Sequence, residues 1–179
     1  DSVIMVPDAY LARNVAAQTG IKVIAWQGAC EVHERFTGED VKEIRESYKD
    51  VVVLAHPECP NDVVQESDFT GSTGAMADYV KLHKPKRVVL ITECSMSDNV
   101  AIENPDVEFI RPCNLCPHMK RISLKAIYEC LRDMKHEVTL PADMIIKARK
   151  SVDAMLNLPK LNANIYDVKK AVPESFELI

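Results

Sequence analysis

Short apolar segments alternate with longer amphipathic segments along most of the chain. The apolar segments are rich in valine and isoleucine, which is typical of strands buried on both faces of a sheet. They predict strands at Val3–Val6, Lys22–Trp26, Val51–Ala55, Arg87–Thr92, Val107–Arg111 and Glu137–Thr139. The amphipathic segments predict helices at Ala9–Thr19, Gly38–Tyr48, Ala75–His83, Ser123–Met134 and Ala142–Leu156. This alternation indicates an α/β protein in which helices cover both faces of parallel sheets.

The strand–helix unit recurs along the chain, although no repeat is evident in the sequence itself. A boundary between two α/β lobes is expected either in the loop near Cys30 or in the turn Asp68–Gly74. An apolar strand pattern opens the chain at Val3, so we expect upstream sequence to belong to the same functional unit.

The composition excludes several classes of protein. The 22 lysine and arginine residues are outnumbered by 27 aspartate and glutamate residues, and no basic stripe indicates a nucleic-acid partner. The apolar runs are too short to span a membrane, and the N-terminus lacks the basic region of a secretory signal. Six cysteines in 179 residues do not resemble a disulfide-stapled secreted scaffold, so they indicate metal or redox chemistry in the cytoplasm. Cys130, on the apolar face of a predicted helix, is expected in the core.

Chemically active side chains follow four of the predicted strands. They are Cys30 after the second strand, His56 and Glu58 after the third, Cys94 after the fourth and Cys113 after the fifth. Parallel sheets bind ligands at the carboxyl ends of their strands. These positions therefore predict a site at one edge of the sheet.

Cys113 and Cys116 form a Cys-x-x-Cys pair that is followed directly by Pro117. Proline favours the first turn of a helix, so Cys116 is predicted at a helix entrance, where the helix dipole favours a thiolate. The pair could ligate a metal, act as a redox dithiol, or consist of small apolar residues in a turn. Cys30 could likewise be either a ligand or a buried small residue. Gly28, two residues before it, would allow a tight turn that brings the thiol toward a ligand.

Two further motifs predict contacts with a polar substrate. In the motif His56-Pro57-Glu58 the proline fixes the turn, so the imidazole and the carboxyl group could exchange protons with a bound molecule. Before the next predicted helix, the hydroxyls of Ser72 and Thr73 could hold a carboxylate or a phosphate. The alternatives are a histidine that caps the strand, a solvated glutamate, and ordinary loop and capping hydroxyls.

Together, four motifs resemble the quinolinate synthases, a family of enzymes of de novo NAD (pyridine nucleotide) biosynthesis. The motifs are WQGACEVH at 26–33, HPE at 56–58, GST at 71–73 and CPHM at 116–119, in the order of the family. The similarity runs from about Val3 to Leu158.

The resemblance implies three-layer αβα lobes with parallel sheets, arranged with pseudo-threefold symmetry around a central [4Fe-4S] cluster. Three cysteines would hold the cluster and leave one iron open as a Lewis acid, and Cys30 and Cys116 match two of these ligands. Residues 1–30 would be the C-terminal part of a preceding α/β lobe, residues 31–158 the lobe or lobes with the site motifs, and residues 159–179 an irregular tail.

The resemblance also implies an activity. The family enzyme is a transferase that condenses iminoaspartate with dihydroxyacetone phosphate to give quinolinate. His56 and Glu58 match acid–base residues that contact substrate, and Ser72 and Thr73 match hydroxyls that hold its anionic groups.

The family's first cluster cysteine and its N-terminal lobe have no match in this sequence. The expected partner is therefore that lobe, or a second chain that supplies it, rather than a nucleic acid or a membrane. Two alternatives stay open. One is a non-catalytic zinc-binding module that uses Cys30, Cys113, Cys116 and another thiol or histidine, and the other is a thiol–disulfide redox protein that uses Cys113 and Cys116.

Overall fold

The computed structural model describes residues 2–158 and 176–179 of the chain. The strands are β1 (Ser2–Met5), β2 (Lys22–Ala25), β3 (Val51–Ala55), β4 (Phe69–Thr70), β5 (Arg87–Ile91), β6 (Glu108–Ile110) and β7 (Glu177–Leu178). The helices are α1 (Ala9–Thr19), α2 (Gly38–Ser47), α3 (Asn61–Glu66), α4 (Thr73–His83), α5 (Ser95–Glu103), α6 (Leu124–Asp133) and α7 (Ala142–Leu156). Short 3₁₀ helices lie at His33–Arg35 and Met119–Arg121. None of the helices in the described ranges has the length and apolar character needed to cross a lipid bilayer.

The strand pairs are parallel and form two sheets, with the orders β1-β2-β7 and β4-β3-β5-β6. The second sheet is buried on both faces. Val89 and Ile91 of β5 belong to a core that includes Val41 of α2 and Val63 of α3. Leu90 of the same strand belongs to a second core formed with α4 and α5. The predicted α/β fold with helices on both sides of parallel sheets is therefore confirmed.

The described residues form two compact units. The first contains the chain up to Cys116 together with residues 176–179, and the second contains residues 117–158. The second unit holds α6 and α7, whose large apolar side chains are mostly exposed. Cys130 is only half-buried, in a shallow apolar cleft of α6 lined by Ile127 and Leu131. The expectation of a core position for Cys130 is therefore wrong.

The prediction of a strand at Glu137–Thr139 is also wrong, because this segment has no regular structure. His136 before it has a left-handed φ of 63°, which breaks an extended backbone. No strand in the described ranges pairs with the segment. Of the tail predicted to be irregular, residues 159–175 lie outside the described residues, and Glu177–Leu178 form β7 beside β2.

The prediction of a helix entrance at Cys116 is wrong as well. Helix α6 begins at Leu124, because Ser123 supplies its N-cap by accepting a hydrogen bond from the Ala126 N–H at 3.1 Å. A turn and the 3₁₀ helix at Met119–Arg121 lie between Cys116 and α6. The helix dipole therefore does not act directly on this thiol.

One structural unit occurs twice in the chain. In chain order it consists of a strand, a helix, a parallel strand, a turn with a cysteine, a 3₁₀ helix and a capped helix. The first copy runs from β1 through α1 and β2 to α2, and the second runs from β5 through α5 and β6 to α6. The equivalent strand ends are bridged in parallel at Asp8–Gly28 and at Glu93–Asn114. In each copy a cysteine, Cys30 or Cys116, lies two residues after the bridge. The 3₁₀ helix begins three residues after that cysteine. The two cysteines therefore occupy equivalent positions in a repeat that the sequence does not reveal.

Candidate active site

Three side chains that can ligate metals or carry protons meet beyond the carboxyl ends of the strands. One ligand atom from each of Cys30, His33 and Glu58 lies within 4.8 Å of the other two. Cys30 and His33 follow β2, and Glu58 follows β3. The structure thus joins residues from both sheets in one group, and it brings together the predicted site residues Cys30 and Glu58.

The turn that carries Cys30 is held by Asp8. One carboxylate oxygen of Asp8 accepts a hydrogen bond from the Cys30 N–H at 3.0 Å, and the other caps α1 by accepting from the Leu11 N–H at 2.7 Å. Burial raises the pKa of Asp8. A Cβ atom at Gly28 would collide with the carbonyl oxygen of Pro7. Glycine is therefore required by this close approach, and not by a left-handed turn.

His33 is buried and makes a hydrogen bond through each ring nitrogen. Its Nδ1 lies 3.0 Å from Glu58 Oε2, and its Nε2 lies 2.9 Å from the hydroxyl oxygen of Thr92 at the end of β5. An ionised Glu58 can only accept, so Nδ1 of His33 donates the proton of this hydrogen bond. These two contacts fix the orientation of the imidazole.

The imidazole of His56 stacks on that of His33, with ring centroids 4.5 Å apart and ring planes 8° from parallel. Its Nδ1 accepts a hydrogen bond from the Glu58 N–H at 3.4 Å, which leaves the proton of the neutral ring on Nε2. Burial, together with the neighbouring His33, lowers the pKa of His56 to about 4. His56 is therefore neutral at pH 7.

Glu58 carries the negative charge of this group. Its pKa is lowered, mainly by the hydrogen bond from His33. The carboxylate lies 3.0 Å from His33 Nδ1 and 3.7 Å from His56 Nδ1, and part of its side chain is open to solvent. An ionised carboxylate beside two imidazoles and accessible from outside can accept a proton from a bound molecule.

The loop that carries His56 and Glu58 is tied to α1 by Asn14. The buried side-chain amide of Asn14 donates hydrogen bonds to the carbonyl oxygens of Pro57 at 2.8 Å and Cys59 at 3.0 Å. Cys59 itself is fully buried in the core, and burial raises the pKa of its thiol. Cys59 is therefore a structural residue and not a thiolate ligand.

Ser72 and Thr73 lie at the N-terminal end of α4, where both are exposed. Ser72 caps this helix by accepting a hydrogen bond from the Ala75 N–H at 3.2 Å. Strands β3 and β4 pair in parallel up to their ends, so these hydroxyls follow the strand end next to the one that leads to His56. The topology places the two motifs at the same edge of the sheet.

Cys116 and Cys30 pack against the same core, the cluster of buried residues that includes Phe36 and Ile91. Cys116 is not a member of the close group of ligand atoms at Cys30. Cys113 is exposed and lines a different cleft of about 370 Å³ beside Tyr48. The two cysteines of the Cys-x-x-Cys pair therefore lie in different surroundings.

Three residues of this site are not singled out by the sequence patterns. His33 stands in the same motif as Cys30, three residues further on, and this spacing is the one available signal. Thr92 only ends an apolar strand, and Asn14 is one polar residue of an amphipathic helix. Their roles depend on contacts between segments that are far apart in the chain.

The fold and this site define an α/β protein in which thiol, imidazole and carboxylate groups meet at the carboxyl ends of parallel strands. A sequence model of the family described as "Quinolinate synthetase A protein" matches residues 1–157. The chain belongs to this family of enzymes.

Similar proteins carry the name quinolinate synthase. Quinolinate synthase 1 of Mesorhizobium japonicum is 60% identical over 154 residues, which are 86% of this chain and 48% of the relative. The quinolinate synthase of Agrobacterium fabrum is 59% identical over 156 residues, or 87% of this chain and 45% of the relative. That of Caulobacter vibrioides is 50% identical over 179 residues, which cover 100% of this chain and 46% of the relative. The chain thus spans about half the length of these relatives.

Proposed function

We propose that this chain supplies a large part of the active centre of a quinolinate synthase. This transferase of NAD biosynthesis would condense iminoaspartate with dihydroxyacetone phosphate to give quinolinate, with the loss of phosphate and two water molecules. The observation that carries the proposal is the close group of Cys30, His33 and Glu58, with the ring of His56 stacked on it. A condensation that eliminates water needs groups that take and give protons beside a held substrate.

The thiols of Cys30 and Cys116 would suit a [4Fe-4S] cluster. Cys30 and Cys116 are equivalent thiols of the repeated unit and pack against the same core, and thiolates are the ligands that such clusters take. These two cysteines would hold the cluster, with a third cysteine from a further lobe. When bound, the cluster would supply a Lewis-acidic iron.

Glu58 and His56 are the proposed acid–base residues. The ionised carboxylate of Glu58 would accept protons released during dehydration and ring closure. The neutral ring of His56 would donate a hydrogen bond or a proton from Nε2. His33 would keep the Glu58 carboxylate in place through its contact of 3.0 Å.

Ser72 and Thr73 are the proposed contacts for anionic groups of the substrate. Their hydroxyls and the positive end of the helix dipole at the N-terminal end of α4 suit a carboxylate or a phosphate. Both substrates carry such groups.

A complete centre needs a further lobe, or a second chain that supplies it. This chain covers 46% of the Caulobacter vibrioides relative. The third cluster cysteine and further substrate contacts would lie in the part of the family's sequence that this chain does not cover.

A chimera tests this function. In it, this chain replaces the 179-residue match in the Caulobacter vibrioides relative, and the protein is purified without oxygen. We expect it to form quinolinate from the two substrates, and Glu58→Gln to lower turnover by at least about 100-fold. Glu66→Gln, at the end of α3, is the control and should stay within about twofold. Full turnover by Glu58→Gln would contradict the proposed role.

A zinc site is the second candidate. Cys30, His33 and Glu58 offer a sulfur, a nitrogen and an oxygen donor within 4.8 Å of one another, a mixed set that zinc accepts. Metal analysis separates the two candidates. Iron with sulfide supports the cluster, whereas a colourless protein with zinc and no quinolinate formation supports the second candidate.

A further inference from the structure

The side chains of Cys30, His33 and Glu58 lie at a spacing that suits a single metal ion. One donor atom from each lies within 4.8 Å of the other two, and His33 Nδ1 is already 3.0 Å from Glu58 Oε2. The donor atoms around a tetrahedral zinc ion are about 3.3–3.6 Å apart, because the zinc–ligand bonds measure about 2.0–2.3 Å. Small movements of these side chains would therefore enclose one divalent cation.

The contacts around the group are those that metal ligands in proteins commonly have. A histidine that binds a metal through one ring nitrogen usually donates a hydrogen bond from the other. His33 Nε2 lies 2.9 Å from the hydroxyl oxygen of Thr92, so this oxygen can accept from Nε2 when Nδ1 binds the ion. The turn of Cys30 is held by Asp8, which accepts a hydrogen bond from the Cys30 N–H at 3.0 Å. Two of the three donors are thus held in place by neighbouring residues.

The zinc donors and the proposed cluster donors have one residue in common. Cys30 belongs to both sets, whereas Cys116 is not a member of the close group and Cys113 lines another cleft. Three donors leave the fourth position of a zinc ion open, and Glu58 is partly exposed, so solvent can reach that position. A cation at this group would take the Cys30 thiolate and the space beside it, and both are needed by the cluster.

We propose that Cys30, His33 and Glu58 bind one zinc ion before the cluster is assembled, and that this ion blocks cluster assembly. On binding, Cys30 loses its thiol proton to solvent and the ring proton of His33 moves from Nδ1 to Nε2, so that a sulfur, a nitrogen and an oxygen atom face the ion. The ion is thus a competitor of the cluster, in contrast to the resident zinc of the second candidate function. The blocking role rests on the proposed function, because it takes Cys30 as a cluster ligand.

The zinc site is tested on this chain after its metals are removed with a chelator under anaerobic conditions. Competition with a chromophoric chelator should give one zinc ion per chain, with a Kd of about 1 µM or below. His33→Gln and Glu58→Gln should each weaken binding by at least about tenfold, because each removes one of three donors. Cys116→Ser is the matched control, since it removes the equivalent thiol of the repeated unit, and it should change the affinity by less than about twofold.

Cobalt(II) reports on the ligands of the unchanged chain and so does not depend on the folding of a variant. It accepts the same donors as zinc. We expect the charge-transfer absorption of a cobalt–thiolate bond together with the visible bands of tetrahedral cobalt. The charge-transfer absorption should be missing in Cys30→Ser and unchanged in Cys116→Ser.

The blocking role is tested on the chimera by reconstitution with iron and sulfide. A chimera loaded with one equivalent of zinc and freed of excess metal should take up at least about threefold less iron than the zinc-free protein. Removal of the zinc with a chelator should restore the uptake. His33→Gln keeps the proposed cluster thiols, so the same zinc treatment should change its iron content by less than about twofold.

Any of three results would overturn the inference: no zinc binding at micromolar concentration, affinity that is lost in Cys116→Ser but kept in His33→Gln, or undiminished iron uptake by the zinc-loaded chimera. Zinc binding by this chain needs neither iron nor substrate. A chain that binds zinc as expected, in a chimera that takes up no iron even without zinc, would contradict the proposed function and the blocking role but would establish the zinc site.

Discussion

Asn14 and Asn99 occupy equivalent positions in the repeated unit, but only Asn14 is buried. Asn14 donates two hydrogen bonds to the loop of Pro57 and Cys59. Asn14→Ala leaves these carbonyl oxygens unpaired, so we expect the free energy of unfolding to fall by about 1–3 kcal/mol. Asn99→Ala should change it by less than about 0.5 kcal/mol. Urea denaturation of this chain measures both values, and equal losses would contradict the assigned role of Asn14.

The low pKa of His56 gives the chain a stability that depends on pH. The pKa falls from its ordinary value of 6.5 to about 4 in the folded state, so between these values the unfolded state binds the proton and the folded state does not. Stability is therefore highest above pH 6.5 and decreases as the pH falls toward 4. The lowered pKa of Glu58 adds a loss of the same sign at more acid pH.

His56→Gln removes this contribution. We expect the free energy of unfolding to fall by roughly 2 kcal/mol more between pH 7 and pH 5 in the unchanged chain than in the variant. Urea denaturation at the two pH values gives the difference. The same pH dependence in both proteins would show that His56 is not held neutral by burial.

The turn that carries Cys30 depends on a glycine without a left-handed φ. Gly28→Ala would drive a Cβ atom into the carbonyl oxygen of Pro7, so we expect a loss of about 2 kcal/mol or more. Gly74 lies in α4 with open space around it, so Gly74→Ala should be neutral or stabilise by up to about 1 kcal/mol. Thermal unfolding compares the pair, and a harmless Gly28→Ala would refute the packing argument.

Elements with a strong local pattern are the ones that the sequence predicts well. Strand β3 and helices α1 and α7 have the predicted bounds, because their apolar residues recur at one period over the whole element. Helix α3 has six residues and β4 has two, which are too short for a periodic signal. The wrong strand at Glu137–Thr139 had a strand-like composition, but a strand also needs a partner, and pairing is not local.

In the candidate site too, local sequence patterns predict some residues and long-range contacts determine the others. The ends of the strands predict the region of Cys30, His56 and Glu58, because a parallel sheet gathers its strand ends at one edge. The buried position of His33 between Glu58 and Thr92 is set by contacts across 25 and 59 positions of the chain. No pattern within one segment carries that information.

At the scale of the whole molecule, the repeat relates the two thiols that the account assigns to one cluster. Cys30 and Cys116 each follow a parallel bridge and precede a 3₁₀ helix and a capped helix. Cys113 lies three residues before Cys116 but faces a separate cleft. Equivalence in the fold, and not proximity in sequence, therefore selects the proposed ligands.

Iron and sulfide content of the anaerobically purified chimera is the most direct test of this assignment. We expect about four iron atoms per molecule in the unchanged chimera and in the control Cys113→Ser. Cys30→Ser and Cys116→Ser should each lose most of the iron, because each removes one of the thiolate ligands. Full iron content in either of these two variants, or loss of iron in Cys113→Ser alone, would contradict the account.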